Sequence, residues 1–130
     1  KIGLLTLAAL IVNTLLGEGI LKHIIERSRP FATYESLHIM IPKPSSYSMP
    51  SGHTSASFAA AFMLAYYFKN IRVYIYSLAS LIAFSRLYLL VHYPSDVLTG
   101  ALLGYLSFLI VIKSYELIQK SKIKDQRKSF

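Results

Sequence analysis

Residues 73–96 read VYIYSLASLIAFSRLYLLVHYPSD. The run Val73–Val91 is long and apolar enough for a membrane helix, which needs roughly 20 residues, with 17–25 common. Arg86 stands inside it, followed by His92 and then Asp96. A charge in such a run is costly in lipid and marks a functional position that needs a partner. The stretch therefore predicts both a membrane helix and one part of an anion-handling site.

Three further apolar stretches lie on either side: about Ile2–Leu21, interrupted late by Gly17-Glu18-Gly19, about Ser51–Phe68, and about Val97–Ile112. Lys69-Asn70-Ile71-Arg72 reads as a short turn between the second and third. Pro94 disfavours helix at the residue before it, so Tyr93-Pro94-Ser95 separates the third from the fourth. Pro50 suits the first turn of the second helix, with Ser48 or Ser51 as its cap. The expected fold is all-α, a polytopic transmembrane bundle of about four spans. Gly100 and Gly104 form a small-xxx-small pair that predicts close packing of the fourth span against a neighbour. Residues 22–50 are the one long connection, within which Ala32–Ile41, with Glu35 and His38, is expected to form a short interfacial helix. The membrane-embedded unit is expected to cover residues 1–118. Residues 119–130 are read as a basic cytoplasmic tail, with the segment from Lys113 onward a frayed helix end.

Composition supports this class. The chain has 130 residues, 54% hydrophobic and only 15% charged, where soluble domains carry about a quarter charged. The net charge is +8. No solvated basic face lies between folded elements, so nucleic acid is not the expected partner, and anionic lipid or a phosphorylated substrate fits better. The absence of cysteine excludes disulfides and thiolate metal sites. The apolar run begins directly after Lys1, without methionine, which predicts further sequence upstream. If the spans alternate, Lys1, Lys69, Arg72 and the group from Lys113 to Lys128 share one side. Lys22, Arg27, Arg29, Lys43 and Arg86 take the other. The positive-inside rule then places the tail in the cytoplasm and the long loop outside.

Three clusters fall on that outer side. Lys22 and Arg29, seven residues apart, would lie on one helical face about 10 Å apart and converge on one phosphate, with Pro30 ending the helix. Interfacial anchoring to headgroups is the alternative for this pair. Pro50-Ser51-Gly52-His53 opens a helix whose free N–H groups suit an anion. Gly52 allows close backbone approach there, and His53 is placed to give a proton to a leaving oxygen. A simple helix cap is the alternative. In the third cluster, Asp96 can accept from one imidazole nitrogen of His92 and leave the other free to attack. Arg86 offers a planar fork to phosphate. Six residues of helix amount to about 9 Å and about 240° of rotation. Arg86 and His92 can therefore meet only if the helix ends near Val91 and His92 sits on the turn. An arginine paired with Glu18 in a helix–helix contact is the alternative.

The three clusters together, K-x6-R-P at Lys22…Arg29-Pro30, P-S-G-H at Pro50–His53 and S-R-x5-H-x3-D at Ser85-Arg86…His92…Asp96, resemble the type 2 phosphatidic acid phosphatases. That superfamily also contains the vanadium haloperoxidases. The resemblance spans residues 22–96 and implies that Lys22, Arg29 and Arg86 bind phosphate, helped by Ser51 and the Gly52 amide. It further implies that His92 attacks phosphorus, Asp96 orients His92 and His53 protonates the leaving group, with no metal and no cofactor. Membrane members usually have six spans with the first motif after the third. Here a single span precedes Lys22, so two upstream spans are expected outside this chain.

The expected function is an integral-membrane lipid phosphate or diphosphate phosphatase acting through phosphohistidine. Undecaprenyl diphosphate, phosphatidic acid and phosphatidylglycerol phosphate are all compatible. The expected location is the bacterial plasma membrane, with the site facing away from the cytoplasm. Its partners are the lipid substrate and membrane lipids; the sequence leaves oligomeric state open. Two other classes compete: a non-catalytic lipid-phosphate binding or transport protein on the same frame, and a vanadate-dependent haloperoxidase.

Overall fold

The computed structural model describes residues 1–34 and 36–128. The parts of the connection and tail at Glu35, Ser129 and Phe130 lie outside the described residues. The chain forms α1 (Ile2–Thr14), which continues through a π-helical segment (Leu15–Leu21) into α2 (Lys22–Ile25). There follow α3 (Pro30–Thr33), α4 (Gly52–Tyr67), a 3-10 turn (Lys69–Ile71), α5 (Arg72–Tyr88) and α6 (Pro94–Lys128). No strand occurs among the described residues.

The first apolar stretch is one rod, because the backbone stays right-handed at Leu15, Leu21 and Lys22. The Gly17-Glu18-Gly19 interruption widens this helix by a π segment and does not break it. Such segments often mark functional positions. The rod ends at Glu26, whose φ of 47° is left-handed.

Several expectations are corrected here. Lys22 and Arg29 do not share a helical face, because Glu26 turns the chain between them. Pro30 starts α3 at its first turn instead of ending a helix, since a missing N–H costs nothing there. Pro50 lies one residue before the α4 cap, Ser51, so it is outside the first turn. The expected interfacial helix over Ala32–Ile41 shrinks to its first two residues. Tyr34 is extended, and Pro42 and Pro44 follow closely. The fourth helix is much longer than its apolar run: α6 continues without a break through the lysine-rich segment to Lys128.

α4 lies at the centre and packs against α6, α5 and α1. Its inward residues are small, Thr54, Ser55, Ala59 and Ala61, with Met63 filling the larger space. Ala9, Met63, Phe108, Val111 and Ile112 form the apolar core between α1, α4 and α6. The glycine pair on α6 packs as its spacing predicts. A Cβ on Gly104 would fall 2.5 Å from the Ser55 carbonyl and 2.7 Å from the Ala59 nitrogen, and one on Gly100 would fall 2.8 Å from the Ser51 carbonyl. The two backbones are therefore in contact, as glycine at a membrane-helix interface permits.

The outward faces remain apolar. Leu4, Leu7 and Ile11 on α1, Leu78, Leu81 and Phe84 on α5, and Leu98 and Leu102 on α6 are all exposed. Exposed apolar surface of this extent marks a contact with lipid or protein. The α1–α2 rod, within Ile2–Thr33, and α6, over Pro94–Gln126, are long and apolar enough to cross a membrane. α4 and α5, at 16 and 17 residues, reach about 24–26 Å. By length, then, two of the four expected spans qualify.

Candidate active site

The sequence clusters meet at one end of the bundle, where α2 ends, α4 and α6 begin and α5 stops. Lys22, Arg29, Gly52, His53, Arg86 and His92 line one cavity of about 180 Å³, joined by Glu18, Ser46 and Val91. α5 ends at Tyr88, three residues earlier than its apolar run, and Leu90 takes a left-handed φ of 57°. This turn brings His92 off the helix axis. Arg86 on the last turn and His92 beyond it can then face the same space.

His92 is buried. Its Nδ1 lies 3.6 Å from Asp96 Oδ2 and 3.5 Å from Ser48 Oγ. Ser48 already donates its hydroxyl proton to Asp96 Oδ2 at 2.5 Å. Nδ1 therefore faces acceptors only, a carboxylate and a hydroxyl lone pair, and such surroundings place the ring proton on Nδ1. The lone pair is left on Nε2, which points into the cavity toward Arg29 Nη1 at 3.3 Å.

Asp96 is fully buried and strongly held. It accepts from Ser48, from the Tyr93 backbone N–H at 2.8 Å and from Arg27 Nη1 at 2.8 Å. Arg27 also donates to Ser95 Oγ at 2.6 Å, and its guanidinium lies 4.0 Å over the Tyr93 ring. A buried carboxylate is tolerable only with such partners.

The three expected phosphate ligands differ in how free they are. Arg29 is buried, and all five of its N–H groups point at protein acceptors. Nε donates to the Ser46 carbonyl at 2.7 Å. Nη1 faces the Val91 carbonyl at 3.0 Å and His92, while Nη2 faces Ser46 Oγ at 3.1 Å and the Tyr47 carbonyl at 3.3 Å. Lys22 is buried and donates to Ser46 Oγ at 3.1 Å and to Glu18 Oε1 at 2.8 Å. Ser46 thus joins the two cations that the helix-face reading tried to join directly. Among the described residues, Arg86 bonds the hydroxyl of its own neighbour Ser85, at 3.1 and 3.0 Å. Glu18 pairs with Lys22 instead, so the Arg86–Glu18 alternative is not what the structure adopts.

Ser51 stands apart from the other expected ligands. It is buried, its hydroxyl bonds Thr54 Oγ1 at 2.9 Å, and its N–H donates to the Asp96 carbonyl at 3.0 Å. It joins the start of α4 to the start of α6 and does not line the cavity. His53 is exposed and lines both the cavity and an adjoining groove. Glu18, Arg27, Ser46 and Ser48 were not singled out as site residues by sequence. Their signals were indirect: Glu18 interrupts an apolar run, Ser48 stood as a possible helix cap, Ser46 lies in a serine pair between prolines, and Arg27 is a second arginine before Pro30.

The architecture is that of a helical membrane protein with a cationic pocket at one end. The profile of the PAP2 superfamily matches residues 3–120, and the chain belongs to that superfamily. It is 36% identical over 113 residues to an undecaprenyl-diphosphatase of Sulfolobus acidocaldarius, a match covering 85% of this chain and 54% of that protein. Aquifex aeolicus LpxE superposes with a TM-score of 0.77 at 32% identity, over 84% of this chain and 66% of that one. The crystal structure of a transmembrane PAP2-type phosphatidylglycerolphosphate phosphatase from Bacillus subtilis gives 0.67 at 33% identity, over 89% and 60%. The chain spans about half to two thirds of the length of these relatives.

Proposed function

We propose that this chain carries the catalytic part of an integral-membrane lipid phosphate or diphosphate phosphatase. The observation that carries this reading is His92, with Nδ1 turned to Asp96 and Ser48 and Nε2 turned to a cavity holding three cations. In the reaction, His92 Nε2 attacks phosphorus while the bond from phosphorus to the leaving oxygen breaks, and His53 supplies the proton that oxygen takes. Water then cleaves the phosphorus–nitrogen bond, freeing phosphate and His92. Lys22, Arg29 and Arg86 offset charge on the transferring group, so fixed cations do the work often given to a metal ion. Arg29 engages by moving the Nη1 donor now aimed at His92 onto the phosphoryl oxygen that arrives there.

The substrate is a lipid phosphate or diphosphate. The names of the relatives support undecaprenyl diphosphate and phosphatidylglycerol phosphate as candidates. α4 and α5 act as short spans completing a set of four, in a membrane unit over residues 1–118 with a basic tail beyond. The distribution of lysine and arginine supports a site facing away from the cytoplasm, and the Bacillus and Aquifex relatives support a bacterial plasma membrane.

The test is phosphate release in detergent from phosphatidic acid, phosphatidylglycerol phosphate and undecaprenyl diphosphate, with EDTA present. Turnover of at least one is expected. Binding of these lipids without any release would overturn the enzyme reading in favour of a lipid-phosphate binder, and vanadate-dependent halide oxidation in favour of a haloperoxidase.

A further inference from the structure

Glu18 has no part in the chemistry above, yet its carboxylate lies in the same cavity. Oε1 is 2.8 Å from Lys22 Nζ, and the same oxygen would lie 2.5 Å from a Cβ on Gly52. The carboxylate thus rests against the first residue of α4. Its side chain is 45% exposed, whereas that of Lys22 is 6% exposed. Glu18, Gly52 and His53 form the wall shared with the adjoining groove of about 290 Å³, also lined by Asn13 and Ser55. The residue stands on the π-helical segment beside Gly19, where nothing lies within 4 Å of a would-be Cβ. The groove that Glu18 also lines leaves room for its half-exposed side chain to move.

Lys22, Arg29 and Arg86 line one small space, and a buried cation left unpaired is strongly destabilising. An anion already present relieves this in the empty protein. A phosphate group brings like charge to the place the carboxylate holds, and the two compete for one ammonium. We propose that Glu18 is a resident counter-anion that a phosphate group displaces from Lys22, so that it sets how tightly the site holds oxyanions and promotes loss of the product phosphate. This rests on the phosphate-site reading above. It adds a residue that tunes affinity against the substrate's charge.

Glu18→Gln keeps size and hydrogen bonding but removes the charge. Binding of inorganic phosphate to the purified full-length protein, followed by calorimetry in detergent, is expected to tighten about two- to fivefold, as for a partly solvated charge pair. A merely structural role gives the opposite sign, because a damaged pocket binds more weakly. Glu18→Asp restores the charge and should return affinity toward that of the parent. Glu18→Ser is a second neutral replacement; if neither neutral variant binds phosphate more tightly, the proposal is overturned. Phosphate release from phosphatidic acid is read separately. Parent protein that binds phosphate but releases none overturns the enzyme reading, while tightening in Glu18→Gln would still establish the counter-anion. If neither the parent nor Glu18→Gln binds inorganic phosphate, the counter-anion proposal is overturned, and the enzyme reading stands or falls on phosphate release alone.

Discussion

Arg27 Nη1 lies 2.8 Å from Asp96 Oδ1, while the other carboxylate oxygen faces Ser48 and His92. The carboxylate is thus held from both sides. Arg27→Gln is expected to lower kcat about tenfold, roughly 1.4 kcal/mol at the transition state, with KM little changed. Arg27→Lys should recover part of the loss, because it returns the charge but not the planar fork. A change confined to KM would mean that Arg27 meets substrate and does not act through Asp96.

His92→Ala removes the nitrogen proposed to attack phosphorus. Turnover is expected to fall at least about a thousandfold, and acid-labile phosphoenzyme should vanish from rapidly quenched reactions. Near-normal turnover in this variant would remove the nucleophile assignment. Addition of EDTA to the parent should leave the rate unchanged; a chelator-sensitive rate would require a metal that the proposed chemistry does not use.

Ser48→Ala deletes a fully buried hydroxyl that meets Asp96 at 2.5 Å. The expected cost is about 1–2 kcal/mol of stability. A fall in kcat should accompany it, since Nδ1 of His92 loses one of its two acceptors. Detergent melting curves and initial rates measure the two effects separately. Intact kcat would show that Asp96 alone is enough to orient the ring.

Gly104→Val tests the α4–α6 contact. The added carbons meet the Ser55 carbonyl and the Ala59 nitrogen, both backbone atoms that cannot rotate away. Overpacking of this kind costs about 1–3 kcal/mol, read as a lowered melting temperature. Gly19→Ala, with open space around it, serves as the contrasting substitution and should melt close to the parent.

The chain has no cysteine, so single cysteines report topology without background. A cysteine replacing Lys120 should react with an impermeant maleimide only after the membrane is opened, and one replacing Lys43 should react in intact cells. The reverse pattern would invert the orientation argued from charge.

The helix pattern was legible because apolar runs in a membrane protein are continuous. Gly100 and Gly104 also announced their contact through spacing alone. Boundaries were less legible where backbone geometry overrode composition: Leu90 is apolar, yet its left-handed conformation helps end α5 early. Similarly, Glu26 gives no sequence sign that it turns the chain between Lys22 and Arg29. Eight candidate site residues could be named from the motifs, and all but Ser51 and Asp96 line the cavity, with Asp96 placed behind His92. Their supporting partners could not be named. Arg27, Ser46 and Ser48 belong to loops, and which side chain a loop presents depends on contacts from α6 and the α5–α6 turn far along the chain.

The contact of Gly100 and Gly104 with α4 has a mechanical consequence. Two helices touching backbone to backbone keep a separation set by peptide geometry, with little compliance from side chains between them. His53 rides on the first of these helices and Asp96 on the second, and the Ser51 N–H to Asp96 carbonyl bond ties their ends together. When the surrounding bilayer thickens or thins, the pair can tilt only as a unit. The groups proposed to act on phosphate then keep their register, like tools clamped in one jig.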